Sequence, residues 1–527
     1  MRFIALVLTF ILLTGCGSSS PAVSVNGEKL AGKYIEDGKV AAFLGVPFAE
    51  PPVGTLRWRA PQPVVTKLKE RPVREFAPAC MQTMRILDWY RWMAEQFGAS
   101  PDYYEDLEIS EDCLYLNVWT PTLEPDAKLP VMVWIHGGSN KSGWSYEKNY
   151  HGDKLAQEDV VVVSVAYRQG VFGFLSHPEL PDNEPRANFG YWDLVASLEW
   201  VRDNVEKFGG DPGRVTLFGE SAGAANILTL MFAPAADGLF HRGILQSSAG
   251  FGIKRMSDLD DEQRRGLGLA EALGIPADNS LAAMRAVPAE QILDVYTATY
   301  PDYYHSPAID GQLLFRSTWE SVHTEGFAGR QLILGSNYHE YYSSAAEDTT
   351  WDDVSRKGAD LIEGIDYEAA LEIVRSEADP RRAMDRLITA ASMLCASQHV
   401  AATMTANRHD AWMYHFTRTR EDEVGQALGA YHGSEYPYVF GMHDAYMTTN
   451  ETDLALEEIV QQYWVRFAAT GNPNGSSTPD WPRFEAPSFR VQELGDEVLS
   501  KPAPEAELCG LFEEWHAETF GRSNSLN

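Results

Sequence analysis

The sequence predicts an α/β protein with a large, mostly parallel central sheet flanked by helices. Apolar runs of strand length alternate with stretches of helical periodicity, an order typical of parallel sheets covered on both faces. One run, residues 159–167, contains four consecutive valines, as expected for a strand buried on both faces. Another, residues 215–218, leads directly into Gly-Glu-Ser-Ala-Gly at 219–223, and a stretch of helix-forming residues follows.

The remaining elements can be placed in chain order. Residues 25–63 indicate short strands and turns, and 81–110 indicate an aromatic-rich loop or short helices. Apolar residues at helical spacing predict an amphipathic helix over 192–208. Two largely helical blocks, 253–330 and 345–410, are interpreted as insertions that cover the active edge of the sheet. The predicted strands are 114–119, 130–135, 159–167, 215–218, 244–246, 332–335 and 411–416.

The Gly-Glu-Ser-Ala-Gly segment is the clearest indication of chemistry. Strand, sharp turn and helix form the context of a nucleophile elbow, which lifts the Ser221 hydroxyl out at the tip of the strand. Gly219 and Gly223 stand where a side chain would clash in so tight a turn. The helix that follows directs free N–H groups toward negative charge that develops there. The alternative interpretation is a glycine-rich turn with a surface serine.

A serine nucleophile needs a base, and the base needs an orienting acid. In sheets of this kind the acid and then the histidine follow the serine along the chain. Glu340 follows the strand predicted at 332–335, at the edge where active-site groups collect. His432 lies in a glycine-flanked loop from which it can turn toward the serine. The alternatives are a surface acid and a structural histidine.

The negative charge of a tetrahedral intermediate also needs hydrogen-bond donors. The backbone N–H groups of Gly138, Ser139 and Ala222 are the candidates, because they belong to the glycine loop after strand 130–135 and to the residue after the nucleophile. The alternative for the glycine loop is a simple turn at the end of a strand.

Composition excludes several classes of protein. The 527 residues carry a net charge of −32, which argues against binding to nucleic acid or to anionic lipid through basic residues. A composition of 44% hydrophobic residues is sufficient for a large core. Length alone suggests about three or four domains, but no linker divides the chain. No metal-ligand spacing occurs, and we predict no metal or other cofactor.

The N-terminus resembles an export signal. Arg2 precedes an apolar segment, 3–13, and small residues then end at Cys16 as in the lipobox of bacterial lipoproteins. This resemblance implies cleavage before Cys16, lipid attachment to it, and a short tether. The alternative is an ordinary secretory signal with an incidental cysteine. The other four cysteines, Cys80, Cys113, Cys395 and Cys509, are an even number in an oxidising compartment, and sequence alone allows three pairings.

Several motifs together resemble the type-B carboxylesterases, the family that includes cholinesterases and bacterial para-nitrobenzyl-type esterases. The resemblance extends from about Val25 to Phe520. Its motifs are Phe-Leu-Gly-Val-Pro-Phe-Ala-Glu-Pro-Pro-Val-Gly at 43–54, Ser-Glu-Asp-Cys-Leu-Tyr-Leu-Asn-Val-Trp at 110–119, the elbow region at 210–224, Ala-Ile-Asp-Gly at 308–311, the His432 loop through 439–441, and Thr-Gly-Asn-Pro-Asn at 470–474.

The resemblance implies a residue-level mechanism. It makes Ser221 the nucleophile, Glu340 the acid and His432 the base of a serine esterase, with a small-molecule ester as substrate. It makes Glu220 and Glu435 buried acidic supports of these three residues.

The resemblance also implies an organisation for the whole chain. It pairs Cys80 with Cys113 and Cys395 with Cys509. It implies one α/β-hydrolase domain over 25–522. The lipobox-like N-terminus predicts that a signal peptide at 1–15 and a lipidated tether at 16–24 precede this domain. The predicted location is the membrane of a bacterium, on the periplasmic or cell-surface side.

Three departures from the family pattern matter. Ser139 occupies the position of a usual third glycine, so a positive φ there would strain it and alter the oxyanion geometry. Asn140 replaces a usual aromatic residue, and Tyr341 replaces the glycine that commonly follows the acid. The choline-binding tryptophan of cholinesterases has no clear counterpart, so choline esters are not predicted as substrates.

The predicted substrates are small to medium apolar or aromatic esters. Four aromatic residues are predicted to line the pocket, although aromatics at strand ends are as often core: Trp144, Tyr338, Tyr341 and Tyr342. Two alternatives stay open. One is a non-catalytic binding or adhesion module of the same fold, and the other is a hydrolase of amide, lactone or thioester bonds.

Overall fold

The computed structural model describes residues 20–65, 68–248, 256–324, 326–327, 329–361 and 367–520. The predicted signal peptide, the lipidation site Cys16 and residue 522 at the end of the predicted domain lie outside the described residues. Within the described residues, the strands in chain order are β1 (Ala22–Val25), β2 (Glu28–Ala31), β3 (Lys33–Ile35), β4 (Val40–Pro47), β5 (Glu70–Pro72), β6 (Ala79–Cys80), β7 (Ile109–Ser110), β8 (Tyr115–Thr120), β9 (Leu129–Ile135), β10 (Val161–Val165), β11 (Gly210–Glu220), β12 (Arg242–Gln246), β13 (Ser257–Asp258), β14 (Ala308–Ile309), β15 (Gln331–Asn337), β16 (Ala411–Phe416), β17 (Arg490–Leu494) and β18 (Val498–Pro502).

The α-helices of the described residues fall mainly between these strands and in two long blocks. In chain order they are α1 (Arg85–Gln96), α2 (Asp153–Ala156), α3 (Gly170–Phe174), α4 (Phe189–Asn204), α5 (Ala222–Leu230), α6 (Leu259–Ala272), α7 (Ser280–Arg285), α8 (Ala289–Thr299), α9 (Thr318–Thr324), α10 (Trp351–Leu361), α11 (Tyr367–Val374), α12 (Pro380–Thr389), α13 (Cys395–Ala406), α14 (Glu423–Leu428), α15 (Tyr436–Phe440), α16 (Glu451–Thr470) and α17 (Ala506–Phe520).

One 11-stranded sheet organises the molecule, in the order β18-β17-β16-β15-β12-β11-β9-β10-β8-β4-β3. Neighbouring strands from β17 to β10 pair in parallel, and the pairs at both edges are antiparallel. The carboxyl ends of β9, β11, β12 and β15 therefore meet at one edge of the sheet. This architecture is an α/β-hydrolase fold, as predicted.

Helices cover both faces of the sheet, which β9 illustrates. Its residues Val131, Val133 and Ile135 belong to one hydrophobic cluster, whereas Met132 and Trp134 belong to another. Successive side chains of a strand point to opposite faces, so each face of the sheet has its own core. The predicted strand 159–167 corresponds to β10, which is buried along its whole length.

Two predicted features differ from the structure in their boundaries. The first strand begins at Ala22, inside the stretch predicted as a tether and before the domain start predicted at Val25. The helix predicted over 192–208 begins at Phe189 and changes to a 3-10 turn at Val205, because the chain tightens before Gly209 at φ 78°.

Two disulfides, Cys80–Cys113 and Cys395–Cys509, form as the family resemblance implied. The second joins α13 to α17 in the C-terminal part of the chain.

One continuous helical stretch, Pro380–Ala406, is long and apolar enough to cross a membrane by length and composition. Since 72% of its apolar window is buried inside the protein, we interpret it as a core helix.

Candidate active site

Ser221 lies between β11 and α5 with φ 54° and ψ −121°, a backbone conformation that residues other than glycine rarely adopt. Its N–H donates to the carbonyl of Gln246, and its own carbonyl accepts from the N–H of Ala225, at 2.8 and 3.0 Å. The turn is therefore held from the neighbouring strand and from the helix. Such backbone strain concentrates at functional sites. The turn holds the serine at the carboxyl end of the sheet.

The glycines on either side of Ser221 are required by a close approach of β9. A Cβ atom at Gly219 would lie 2.6 Å from the carbonyl oxygen of Ile135, and one at Gly223 would lie 2.0 Å from the same oxygen. The elbow can close against β9 only where both positions lack a side chain.

We expect Gly223→Ala to lower the free energy of unfolding by about 3 kcal/mol, because a backbone carbonyl cannot move aside as a flexible side chain can. Gly510→Ala is the matched control, since Gly510 is also helical but a Cβ atom there meets nothing within 4 Å. That substitution should raise stability by roughly 0.5 to 1 kcal/mol. Thermal or urea unfolding measures both. Equal effects of the two substitutions would contradict the steric argument.

The glycine loop after β9 lies against the turn at Ser221. A Cβ atom at Gly137 would be 3.1 Å from the Cβ of Ser221. Gly138, Ser139 and Asn140 all have positive φ, at 104°, 61° and 54°. Ser139 is thus in the strained conformation that its glycine-like position predicted.

Asn140 anchors this loop. Its Nδ2 donates to the carbonyl of His305 at 2.9 Å, and its Oδ1 accepts from Nδ2 of Asn226 in α5 at 2.9 Å. The hydroxyl of Tyr167 donates to the carbonyl of His136 at 2.9 Å. An amide that both donates and accepts therefore connects the loop to the helix that follows Ser221. The sequence identified Asn140 only as a departure from the family pattern and gave no indication of the roles of Asn226 and Tyr167.

Glu340 and His432 are brought together by backbone pairing. His339 and Tyr431 form an isolated parallel β-bridge, and the N–H of His339 donates to the carbonyl of Ala430 at 2.9 Å. The residues that follow the bridge, Glu340 and His432, therefore lie side by side. Nδ1 of His432 is 2.6 Å from Oε2 of Glu340.

Glu220 touches the other side of the same imidazole. Nε2 of His432 lies 2.9 Å from Oε1 of Glu220, but the two are not aligned for a hydrogen bond, and Oε1 has no hydrogen-bond partner among the described residues. The other oxygen, Oε2, accepts from the hydroxyl of Tyr436 at 2.5 Å. Within the described residues, the Ser221 hydroxyl forms no hydrogen bond to His432; the carboxylate next to it in the chain makes the contact instead.

Glu435 lies deeper in the same cluster. Its two oxygens accept from Nε2 of Gln246 at 3.0 Å and from Nδ2 of Asn337 at 2.6 Å. Burial, with the charges of Glu220 and Glu340, raises its pKa to about 7. Gln246 and Asn337 are the last residues of β12 and β15. Their position at the carboxyl ends of parallel strands is the one feature of the sequence that could have indicated them as site residues.

The pKa of His432 lies above its ordinary value. Burial of the imidazole disfavours the charged form, but the neighbouring carboxylates of Glu220 and Glu340 favour it more strongly. The side chain of His432 remains 30% exposed to solvent.

The sequence predicts His432 as the general base, and a general base must be neutral, so we expect kcat/KM to rise with pH through a transition above the ordinary histidine pKa of about 6.5. Glu220→Gln removes one of the two stabilising negative charges. The pKa of His432 should then fall, and the acidic limb of the pH profile should move to lower pH. Steady-state rates on a neutral ester across the pH range measure this shift. Movement of the limb to higher pH would contradict the assignment.

The four predicted pocket aromatics occupy separate surroundings. Trp144 is buried in a cluster with Tyr90 and Tyr104. Tyr342 packs its ring under the guanidinium groups of Arg381 and Arg382, at 4.1 and 3.6 Å.

Tyr338 lines a small cavity of about 40 Å³ beside His339 and Asp385, and Tyr341 is half-buried against the main core. That these four residues line a substrate pocket stays a prediction.

Comparisons with known proteins agree with this fold. The carboxylesterase family profile matches residues 19–509. The chain is 31% identical over 510 residues to the medium-chain fatty acyl-CoA hydrolase precursor of Anas platyrhynchos, with 91% of this chain and 89% of the relative covered. It is 33% identical over 488 residues to the fumonisin B1 esterase of Sphingopyxis macrogoltabida, with 88% and 85% covered.

A solved structure, a thermophilic PNB esterase, superposes with a TM-score of 0.81 at 29% identity and covers 93% of this chain and 99% of its own. The fold and the comparisons together define a carboxylic-ester hydrolase with the α/β-hydrolase architecture. The chain belongs to the carboxylesterase family.

Proposed function

We propose that the protein hydrolyses carboxylic esters through an acyl-enzyme on Ser221. The observation that carries this proposal is the 2.6 Å contact between His432 and Glu340, next to a serine at positive φ on a strand-to-helix turn. In the proposed reaction, Nε2 of His432 exchanges its 2.9 Å contact with Oε1 of Glu220 for the hydroxyl of Ser221, the next residue in the chain after Glu220. Catalytic hydrogen bonds are often long without substrate and tighten when it binds.

The reaction proceeds in two steps. His432 accepts the hydroxyl proton as Ser221 oxygen bonds to the ester carbonyl carbon, and the imidazolium then donates that proton to the departing alcohol. Water attacks the acyl-enzyme in the same way and releases the acid and free Ser221. Glu340 holds the imidazole with Nδ1 protonated and stabilises the imidazolium. The N–H groups of Gly138, Ser139 and Ala222 stabilise the oxyanion of each tetrahedral intermediate.

The proposed substrates are small to medium apolar or aromatic esters. Trp89 of α1 lies 6.2 Å, ring to ring, from Tyr431, the residue before the base. Met93 of the same helix packs in one cluster with Tyr431 and Leu428. An apolar and aromatic surface beside the base supports the binding of such esters.

A fluorophosphonate probe tests the catalytic assignment. Phosphonylation of an activated serine requires the same base and oxyanion donors as ester hydrolysis. We expect a single modified peptide carrying Ser221, found by digestion and mass spectrometry, with loss of esterase activity in proportion to labelling. Labelling of another serine with full loss of activity would overturn the assignment.

We also propose that the protein is an exported lipoprotein anchored through Cys16. The lipobox-like sequence supports this location. Metabolic labelling with a palmitate analogue, compared between the natural chain and Cys16→Ser, tests it. Labelling that persists in Cys16→Ser would contradict the proposal.

A further inference from the structure

Arg85, the first residue of α1, brings a positive charge to the glycine loop of the active site. Its Nη2 donates to the carbonyl of Gly138 at 3.1 Å and lies 3.5 Å from the hydroxyl of Ser139. Gly137, the preceding residue of this loop, faces Ser221, so the guanidinium stands beside the segment that would hold the ester carbonyl.

The charge of Arg85 is not compensated. Within the described part of the chain, no carboxylate lies within 4.0 Å of its guanidinium, whereas Arg91 on the same helix pairs with Asp106 at 2.8 Å. Arg85 is an exposed residue. The surrounding protein nevertheless lowers the pKa of its guanidinium, and nearby Tyr304 offsets this lowering only in part.

The docking of α1 does not depend on Arg85. The hydroxyl of Tyr90 donates to the buried carboxylate of Glu147, and Arg91 donates twice to the carbonyl of Tyr104. Met93 packs against Tyr431. Since these contacts hold the helix, the guanidinium is available for a ligand. It has five N–H donors in a planar fork, a geometry that matches a carboxylate.

We propose that Arg85 binds a free carboxylate on the substrate, so that the enzyme prefers ester acids, such as hemi-esters of dicarboxylic acids, over neutral esters of the same shape. This inference rests on the proposed esterase function and specifies its substrate class. The net charge of −32 repels anions at long range, but salt screens that field beyond about 8 Å and leaves a direct contact with Arg85 largely intact.

Two pairs of substrates, assayed at about 0.15 M salt, test the proposal. Monoethyl glutarate carries the carboxylate on the acid half, and meta-acetoxybenzoate carries it on the alcohol half. Each is compared with its neutral amide. A higher kcat/KM for the anion in either pair is the expected result, and the pair that responds identifies the half of the ester that faces Arg85.

Arg85→Met should lower the ratio of anion to amide kcat/KM by about 10- to 100-fold, as expected for loss of a charge-assisted hydrogen bond. Arg85→Lys should retain part of the ratio, and Arg85→Gln provides a second uncharged variant. Arg74→Met is the matched control and should retain the ratio, because Arg74 is also exposed and without a carboxylate within 4.0 Å among the described residues, but it donates to the carbonyl of Gly32 at 3.1 Å and makes none of the contacts that hold α1.

The outcomes separate this inference from the esterase function. Two results would overturn the role of Arg85 alone. One is equal ester hydrolysis of the anions and of their neutral amide analogues. The other is a preference for the anions that Arg85→Met and Arg85→Gln leave unchanged. An equal fall in Arg74→Met would show that the ratio responds to the loss of any surface arginine, and it would also overturn the role of Arg85. Failure to hydrolyse any ester in either pair, together with no probe labelling at Ser221, would overturn the proposed function itself.

Discussion

Ser221→Ala is expected to lower kcat by about 10⁶-fold, since the hydroxyl is the proposed nucleophile and residues acting as a unit fail together. Folding should be unaffected, because alanine and serine are similarly strained at φ 54°. Rates of product release from a neutral aryl ester and labelling by the fluorophosphonate measure the effect, and thermal unfolding verifies the fold. Turnover within tenfold of the natural protein would exclude the acyl-enzyme mechanism.

Ser247→Ala is the matched control for this experiment. Ser247 is also a serine at positive φ, 56°, and it follows the end of β12 as Ser221 follows the end of β11. Its hydroxyl is buried and has no hydrogen-bond partner among the described residues. The substitution should leave most of the turnover, so a comparable loss in both variants would indicate damage to the edge of the sheet.

Glu340→Gln is expected to lower kcat by about 10⁴-fold, with a smaller effect on KM. The amide can keep a hydrogen bond to Nδ1 of His432, but it loses the charge that stabilises the imidazolium and selects the tautomer. The remaining activity should have its acidic limb at lower pH, because the Glu340 carboxylate raises the pKa of His432. Steady-state kinetics across pH measures both effects.

Glu435→Gln is the control for Glu340→Gln. Glu435 is a buried carboxylate of the same cluster, but its hydrogen bonds go to Gln246 and Asn337, not to the imidazole. Burial and neighbouring charge already raise its pKa to about 7, so its neutral form is well populated near neutral pH. The fall in kcat caused by Glu435→Gln should therefore be far smaller than that caused by Glu340→Gln. Equal losses would indicate that the cluster acts through its total charge and not through the Glu340 contact.

The elbow could be predicted because its motif is contiguous in the chain. The strand and helix around Ser221 follow from their own apolar patterns, whereas the close approach of the Ile135 carbonyl to Gly219 and Gly223 is visible only in the structure. The parallel strands could be predicted in the same way. The run predicted at 411–416, for example, corresponds to β16 with identical bounds. The α/β-hydrolase fold follows from such runs in alternation with helices.

The surroundings of His432 could not be predicted in the same way. The contact between Glu220 and His432 joins residues 220 and 432, and the Tyr436 hydroxyl that binds Glu220 has no local signal in the sequence. Residues 81–110 were predicted only as a loop or short helices. Packing against the His432 loop places the 12-residue α1 there, together with Arg85.

The sequence alone determined the strand and helix pattern, the elbow at Ser221 and, by family resemblance, the pairing of the cysteines. These follow from side-chain size, apolar periodicity and motifs that are contiguous in the chain. Only the tertiary structure decided that Glu220 contacts Nε2 of His432 directly while Glu435 does not, and that Arg85 lies beside the glycine loop. Such contacts depend on the register of distant segments, as in the bridge between His339 and Tyr431, which no single stretch of sequence encodes.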